Sequence, residues 1–167
     1  MMANSKKNTI ITVTVDIDEL KKEGEDHCAL CDSATTFTDN RDNSTGQRGN
    51  GKKFKSKVNH GKRVIWIGNL DNSQSENDFI EILAVAKKDS NQKSLLKKDF
   101  YLGQQGIVEG KVRKVKNPKM ILACQNQANI SGSEVVMDYS ITFLVGFEVS
   151  LKMHYKMCTI DPKIRMA

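Results

Sequence analysis

The strongest secondary-structure signal in the chain is Asp138-Tyr139-Ser140-Ile141-Thr142-Phe143-Leu144-Val145. Tyr139 and every second residue up to Val145 are apolar, so their side chains share one face of an extended strand. Polar residues occupy most of the intervening positions. This alternation predicts a half-buried β-strand.

A further extended segment follows on the C-terminal side of this run, although neither of its faces is purely apolar. Met153 to Ile160 is predicted as a further strand, and it leads into Ile160-Asp161-Pro162-Lys163-Ile164-Arg165-Met166. Because proline fixes φ, the Asp161-Pro162 step predicts a corner between that strand and a short apolar strand.

Upstream, the residues from Ile11 to Ile17 alternate β-branched apolar and polar side chains, which predicts a first strand. Phe54 to Val58 and Lys62 to Ile67 are predicted to pair as a hairpin around Asn59-His60-Gly61, where glycine can adopt positive φ. Gly106 to Val115 and Met120 to Ala123 are further strand candidates.

Six or more extended runs and only two prolines predict an all-β fold, an antiparallel β-sandwich. The length of 167 residues suits one domain, and we expect residues 1–167 to form it. Residues 21–51 are hydrophilic and rich in turn formers, and they are predicted to form one long, mobile loop.

The segment from Ser75 to Lys88 fits two structures. Phe79, Ile82, Leu83 and Ala86 match the apolar stripe of a helix that Ser75 would cap. The same residues also read as a strand that is apolar on both faces, as in a buried sheet. Periodicity does not choose between a helix and a strand here.

The charge and the cysteine content indicate which cellular compartment and which kinds of partner suit this protein. The formal net charge is +6 and the pI is about 9.1, which raises the prospect of an anionic partner, although scattered lysines also protect sheet edges. No apolar run reaches the roughly 18 residues of a membrane helix, and the N-terminus lacks a signal-peptide pattern. We therefore expect a cytoplasmic protein without a membrane partner, whose four cysteines are reduced thiols.

Few residues of the chain are candidates for catalysis or metal binding. Cys28 and Cys31 have the CxxC spacing of zinc sites and of thiol exchange, but one such pair is half a zinc site. His154 and Cys158 would lie roughly 13 Å apart along a strand, too far to complete it. Incidental thiols are the favoured interpretation. His27 and His60 lack a local partner, so we predict no enzyme, catalytic residue, metal site or cofactor, and the binding residues are unknown.

A rival prediction comes from Val64-Ile65-Trp66-Ile67-Gly68-Asn69-Leu70 and the candidate helix after it. This pair is typical of an RNA-recognition motif, in which Trp66 would stack on a base and nearby lysines would contact phosphates. The second half of that motif is missing, because Tyr101 to Val108 lacks alternating aromatic residues. Trp66 is therefore expected in the core, and RNA binding is the second hypothesis.

Four segments in order resemble the PixA/AidA group of bacterial proteins: Thr12 to Asp16, Val64 to Gly68, Asp138 to Phe143 and Ile160 to Ile164. The Asp161-Pro162 step with its flanking strands is the most specific of them. Ile160 differs from the aromatic residue that better-known members tend to carry before this step. The resemblance spans most of the chain.

This resemblance implies a compact, cytoplasmic bacterial β-sandwich of inclusion-body type without enzymatic activity. It leads us to expect a binding protein that acts through self-association, as a homo-oligomer, or by binding a ligand such as a glycan. It assigns no binding residue, because the matching positions are strand and core positions.

Overall fold

The structure is a computed structural model, and it describes residues 6–41, 49–89, 94–97, 100–101, 119–125 and 135–166. Within them the strands are β1 Thr9–Asp16, β2 Thr35–Asp39, β3 Lys55–Val58, β4 Arg63–Asp71, β5 Phe79–Lys87, β6 Phe100–Tyr101, β7 Lys119–Ala123, β8 Val135–Val149, β9 Lys152–Ile160 and β10 Lys163–Met166. The helices are α1 Ile17–Leu20 and α2 His27–Ala34. The chain is thus mostly β, as predicted.

The strands form two sheets. The four-stranded sheet has the order β2-β1-β4-β7, and the six-stranded sheet has the order β3-β10-β8-β5-β6, with β9 also paired to β8. Both sheets are mixed, because β1 runs parallel to β4 and β10 runs parallel to β3. The prediction of an antiparallel architecture is therefore wrong: alternation fixes which face of a strand is buried, but not the direction of its neighbour.

Alternating side chains from both sheets meet in one buried cluster. Ile11 and Trp66 enter it from the four-stranded sheet, and Tyr139, Ile141 and Phe143 enter it from β8. All five side chains are fully buried. The face predicted for the run from Tyr139 to Val145 is therefore confirmed.

The ambiguous segment from Ser75 to Lys88 contains strand β5 and no helix. β5 pairs with β8 on one side and with β6 on the other, and both of its faces carry buried side chains, such as Phe79 and Ile80. Because side chains on both faces of β5 are buried, apolar residues are favoured at successive positions. This explains the nearly continuous apolar run.

The predicted hairpin of residues 54–67 is wrong. β3 pairs with β10 in the six-stranded sheet, whereas β4 pairs with β1 and β7 in the other sheet. The turn between them therefore connects the two sheets. Gly61 has the expected positive φ, 70°.

The prediction of one long loop over residues 21–51 is also wrong, because this segment contains helix α2 and strand β2. Leu30, Ala34 and Phe37 from this segment are buried in the core. The few apolar residues among its many polar ones are thus sufficient to anchor it. Residues 42–48 of this loop and the predicted strand at 106–115 lie outside the described residues.

The Asp161-Pro162 step is tied to β8. Pro162 O accepts a hydrogen bond from Tyr139 N at 3.1 Å, and Ser140 Oγ donates to Asp161 Oδ1 at 2.6 Å. Lys88 Nζ lies 3.1 Å from Asp161 Oδ2. These contacts hold β9 and β10 along the same side of β8 and in one register. The predicted break between the two strands is therefore present, but the chain continues along β8 and does not turn a corner there.

Candidate functional site

Helix α2 carries the CxxC pair and packs against β9. Asp26 caps its first turn by accepting a hydrogen bond from Ala29 N at 3.2 Å. The helical turn places Cys31 on the buried side and leaves Cys28 exposed. Both cysteines were predicted to lie in a loop, whereas the structure shows them on a capped helix.

Cys31 forms a disulfide with Cys158 of β9, with Cα atoms 5.5 Å apart. This corrects the expectation of four reduced thiols. The two cysteines are separated by 127 positions, and no local spacing pairs residues so far apart. Cys28 and Cys124 are free, and burial raises the pKa of the Cys124 thiol to about 12, which leaves Cys28 as the accessible thiol.

His27 borders this disulfide. Its Nε2 lies 2.6 Å from Met157 O and 3.7 Å from Cys31 Sγ. Because a carbonyl oxygen only accepts hydrogen bonds, Nε2 carries the proton in this arrangement. His27 does not stand out in the sequence, because Met157, whose carbonyl it contacts, lies 130 positions away.

A cleft of about 380 Å³ opens between the α1–α2 connection and β9, beside His27. His154 stacks on Phe147 in its wall, with ring centroids 5.7 Å apart, and the Lys21 ammonium lies 5.9 Å from the centre of the Phe147 ring. Lysines and glutamates both line the cleft. It is therefore not uniformly basic.

The residues considered for zinc form no metal site. Cys31 and Cys158 are bonded to each other, so neither sulfur atom is a free thiolate ligand. Across the part of the chain that the structure describes, no group of three or more potential metal ligands forms. Neither described helix has the length and apolar composition to cross a bilayer.

Trp66 is fully buried, so its ring cannot stack on a base. Its Nε1–H donates to Tyr139 Oη at 3.1 Å, and the two rings meet edge to face with centroids 5.6 Å apart. The RNA-recognition hypothesis is therefore not supported, on two grounds. Trp66 is inaccessible to a base, and the segment that would be the required helix contains strand β5. Burial of Tyr139 raises the pKa of its phenol far above the usual range, so this hydroxyl stays protonated.

The six-stranded sheet has a second face, directed away from the core. Backbone pairing places Leu144 opposite Met157 and Gly146 opposite both Tyr155 and Phe79. Tyr155 is 58% exposed and Met157 is 57% exposed. We call Phe79, Leu144, Tyr155 and Met157 the outer patch.

Comparison with known proteins agrees with this architecture. The crystal structure of the inclusion body protein PixA from Burkholderia cenocepacia J2315 is similar over 100% of this chain and 99% of that chain, with a TM-score of 0.62 and 11% sequence identity. At that identity the similarity shows a shared fold. No family model and no curated protein matches the sequence.

Proposed function

We propose that the protein is a non-enzymatic β-sandwich of inclusion-body type that self-associates through the outer patch. The single observation that carries this proposal is the exposure of Tyr155 and Met157, two large side chains side by side on one sheet face. The fold shared with an inclusion body protein supports it.

The position of these residues favours a protein partner. Tyr155 and Met157 alternate with Lys156 along β9, so their side chains leave the sheet on the outer side together. Leu144 extends the patch onto β8 through its pairing with Met157. Tyr155 and Met157 are the exposed members of the outer patch, and their apolar surface favours association. A second copy of the same patch would remove it from water.

The test is sedimentation velocity over a series of protein concentrations. We expect dimers or larger assemblies for the native chain, and monomers for the double variant Tyr155→Lys/Met157→Lys. Leu151→Lys is the matched control, because it removes another exposed apolar side chain, 91% exposed, in the turn between β8 and β9. Its assembly should match that of the native chain.

Two results would contradict the proposal. One is a native chain that stays monomeric at every concentration. The other is a double variant that assembles as the native chain does. Added salt should not dissolve the assembly, because screening weakens contacts between charges and leaves apolar contacts intact.

Other expectations from the sequence stay predictions. Sugar binding, a bacterial origin and the lack of enzymatic activity belong to this group, as does the cytoplasmic location. The Cys31–Cys158 disulfide weighs against the cytoplasmic location, because reducing compartments keep most thiols reduced.

A further inference from the structure

Three cysteines meet where α2 contacts β9. Cys31 and Cys158 share a disulfide, and Cys28 lies three positions before Cys31 in the first turns of the helix. Residues three apart on a helix are neighbours, with Cβ atoms about 5–6 Å apart. A disulfide requires Cβ atoms roughly 3.5–4.5 Å apart, so a shift of about 1–2 Å would bring Cys28 to bonding distance of Cys31.

We propose that these residues form a thiol–disulfide exchange site with two alternative pairings. The Cys28 thiol loses its proton to solvent, and the thiolate attacks Cys31 Sγ. A Cys28–Cys31 bond forms as the Cys31–Cys158 bond breaks. Cys158 leaves as a thiolate and takes up a proton. The number of disulfides is unchanged, so the exchange needs no external oxidant or reductant.

Accessibility and burial assign the roles of the three sulfur atoms. Cys28 is exposed, whereas Cys31 is 2% exposed and Cys158 is fully buried. An exposed thiol next to a disulfide can be deprotonated by solvent, and the buried sulfur atoms are reached most directly from within the protein. Cys28 is thus the attacking group.

His27 provides a second, independent feature of an exchange site. Its Nε2 lies 2.6 Å from Met157 O and 3.7 Å from Cys31 Sγ, so the one Nε2–H is within hydrogen-bonding reach of both atoms. A hydrogen-bond donor at this place stabilises negative charge that develops on the sulfur atoms during exchange. The geometry assigns His27 a catalytic role in the exchange, since its Nε2 contacts a reacting atom.

Exchange would change the way in which α2 is attached. In the described pairing, the Cys31–Cys158 bond links the helix covalently to β9. With a Cys28–Cys31 bond the crosslink lies within the helix, and non-covalent contacts alone hold α2 on the sheet. Cys158 then becomes a free thiol in β9.

Peptide mapping without reduction tests the proposal directly. The oxidised protein is incubated at mildly alkaline pH, quenched with acid, alkylated and digested with trypsin. Cleavage at lysine and arginine leaves Cys28 and Cys31 together in peptide 23–41, and Cys158 in peptide 157–163. The described pairing crosslinks the two peptides and leaves Cys28 alkylated.

The expected result is a rise, with incubation time, of free peptide 157–163 alkylated at Cys158. It should be matched by peptide 23–41 with an internal disulfide. Cys28→Ser should abolish both products, and His27→Gln should slow their appearance. Cys124→Ser is the matched control, because it removes a buried thiol elsewhere and should leave the exchange unchanged.

Three results would overturn the proposal. The first is a crosslinked pair that persists unchanged, with Cys28 alkylated, after prolonged incubation. The second is alkylation of Cys31 in place of Cys158, which would show that Cys28 attacks the other sulfur. The third is purified protein, kept from reductants, in which the two peptides are never crosslinked.

Discussion

Trp66 Nε1–H donates to Tyr139 Oη across the two sheets, over a distance of 3.1 Å. The pair joins β4 to β8 with the two largest fully buried side chains of the described residues. Each ring fills core volume, and the polar atom of each side chain is hydrogen-bonded to that of the other. The contact gives a hydrogen-bond partner to two buried polar groups.

Replacing Trp66 with alanine should lower the free energy of unfolding by about 3–5 kcal/mol, as truncation of a large core aromatic does. Part of that loss comes from the cavity, and part from leaving Tyr139 Oη without its donor. Urea denaturation followed by circular dichroism measures it. Trp66→Phe keeps a ring in the core and should cost less. A loss below about 1 kcal/mol for Trp66→Ala would contradict the buried position.

The Cys31–Cys158 disulfide should stabilise the native chain by about 2–4 kcal/mol, because it closes a long loop and so restricts the unfolded state. Cys158→Ser should therefore lower the urea midpoint, and reduction of the native protein should have a similar effect. Cys28→Ser removes an exposed thiol and is the control, with an expected change within about 0.5 kcal/mol. An equal midpoint for Cys158→Ser and the native chain would show that the crosslink does not stabilise the fold.

The contrast between predicted and observed features has a physical basis. The alternation around Ile141 and from Ile11 to Ile17 predicted strands and their buried faces, because a half-buried strand imposes a period of two on its own sequence. The parallel pairing of β1 with β4 leaves no such local mark. It depends on which distant segments meet, and the same is true of Cys31 and Cys158.

The candidate site illustrates the same limit. Cys28 and Cys31 were recognisable from their spacing, but their significance depends on Cys158 and His27. His27 contacts Met157 O, on a strand 130 positions away. The exposure of Tyr155 and Met157 was also not evident, because neither face of β9 is purely apolar in sequence. Only the pairing with β8 shows which face points outward.

Gly146 is expected to tolerate no side chain, because the Phe79 ring lies over it. A Cβ added at this position would collide with the Phe79 ring, which is itself 6% exposed. Aromatic rings commonly cover glycines in sheets in this way. Gly146→Ala should therefore destabilise the fold by about 1–3 kcal/mol, the usual cost of overpacking.

A double-mutant cycle tests whether the Phe79 ring causes the destabilisation by Gly146→Ala. Phe79→Ala removes the obstructing ring, so Gly146→Ala should cost much less in that background, and the coupling should exceed about 0.5 kcal/mol. Both changes are measured by urea denaturation. Additive effects of the two substitutions would show that the glycine is required for another reason.

Ionisation of Asp78 should make the free energy of unfolding depend on pH in the acidic range. Desolvation by partial burial raises the pKa of its carboxyl, but hydrogen bonds from Glu148 N, Ser73 Oγ, Ser75 N and Gln74 N outweigh this, and the pKa is lowered overall. The bond from Glu148 N to Oδ1 measures 2.8 Å and joins the start of β5 to the end of β8. The carboxylate is thus the form that the folded state favours.

The sign of the pH effect follows from this lowered pKa. Above the unfolded pKa of about 3.9 the carboxylate contributes its full stabilisation, and the contribution is lost as pH falls through the folded pKa. Asp78→Asn lacks that contribution at every pH. The gap in urea midpoint between the native chain and this variant should therefore be constant near neutral pH and shrink in acid. Asp71→Asn, a change at an exposed aspartate in β4, is the control. A gap that stayed constant down to the lowest pH would show that the ionised form of Asp78 brings no stability.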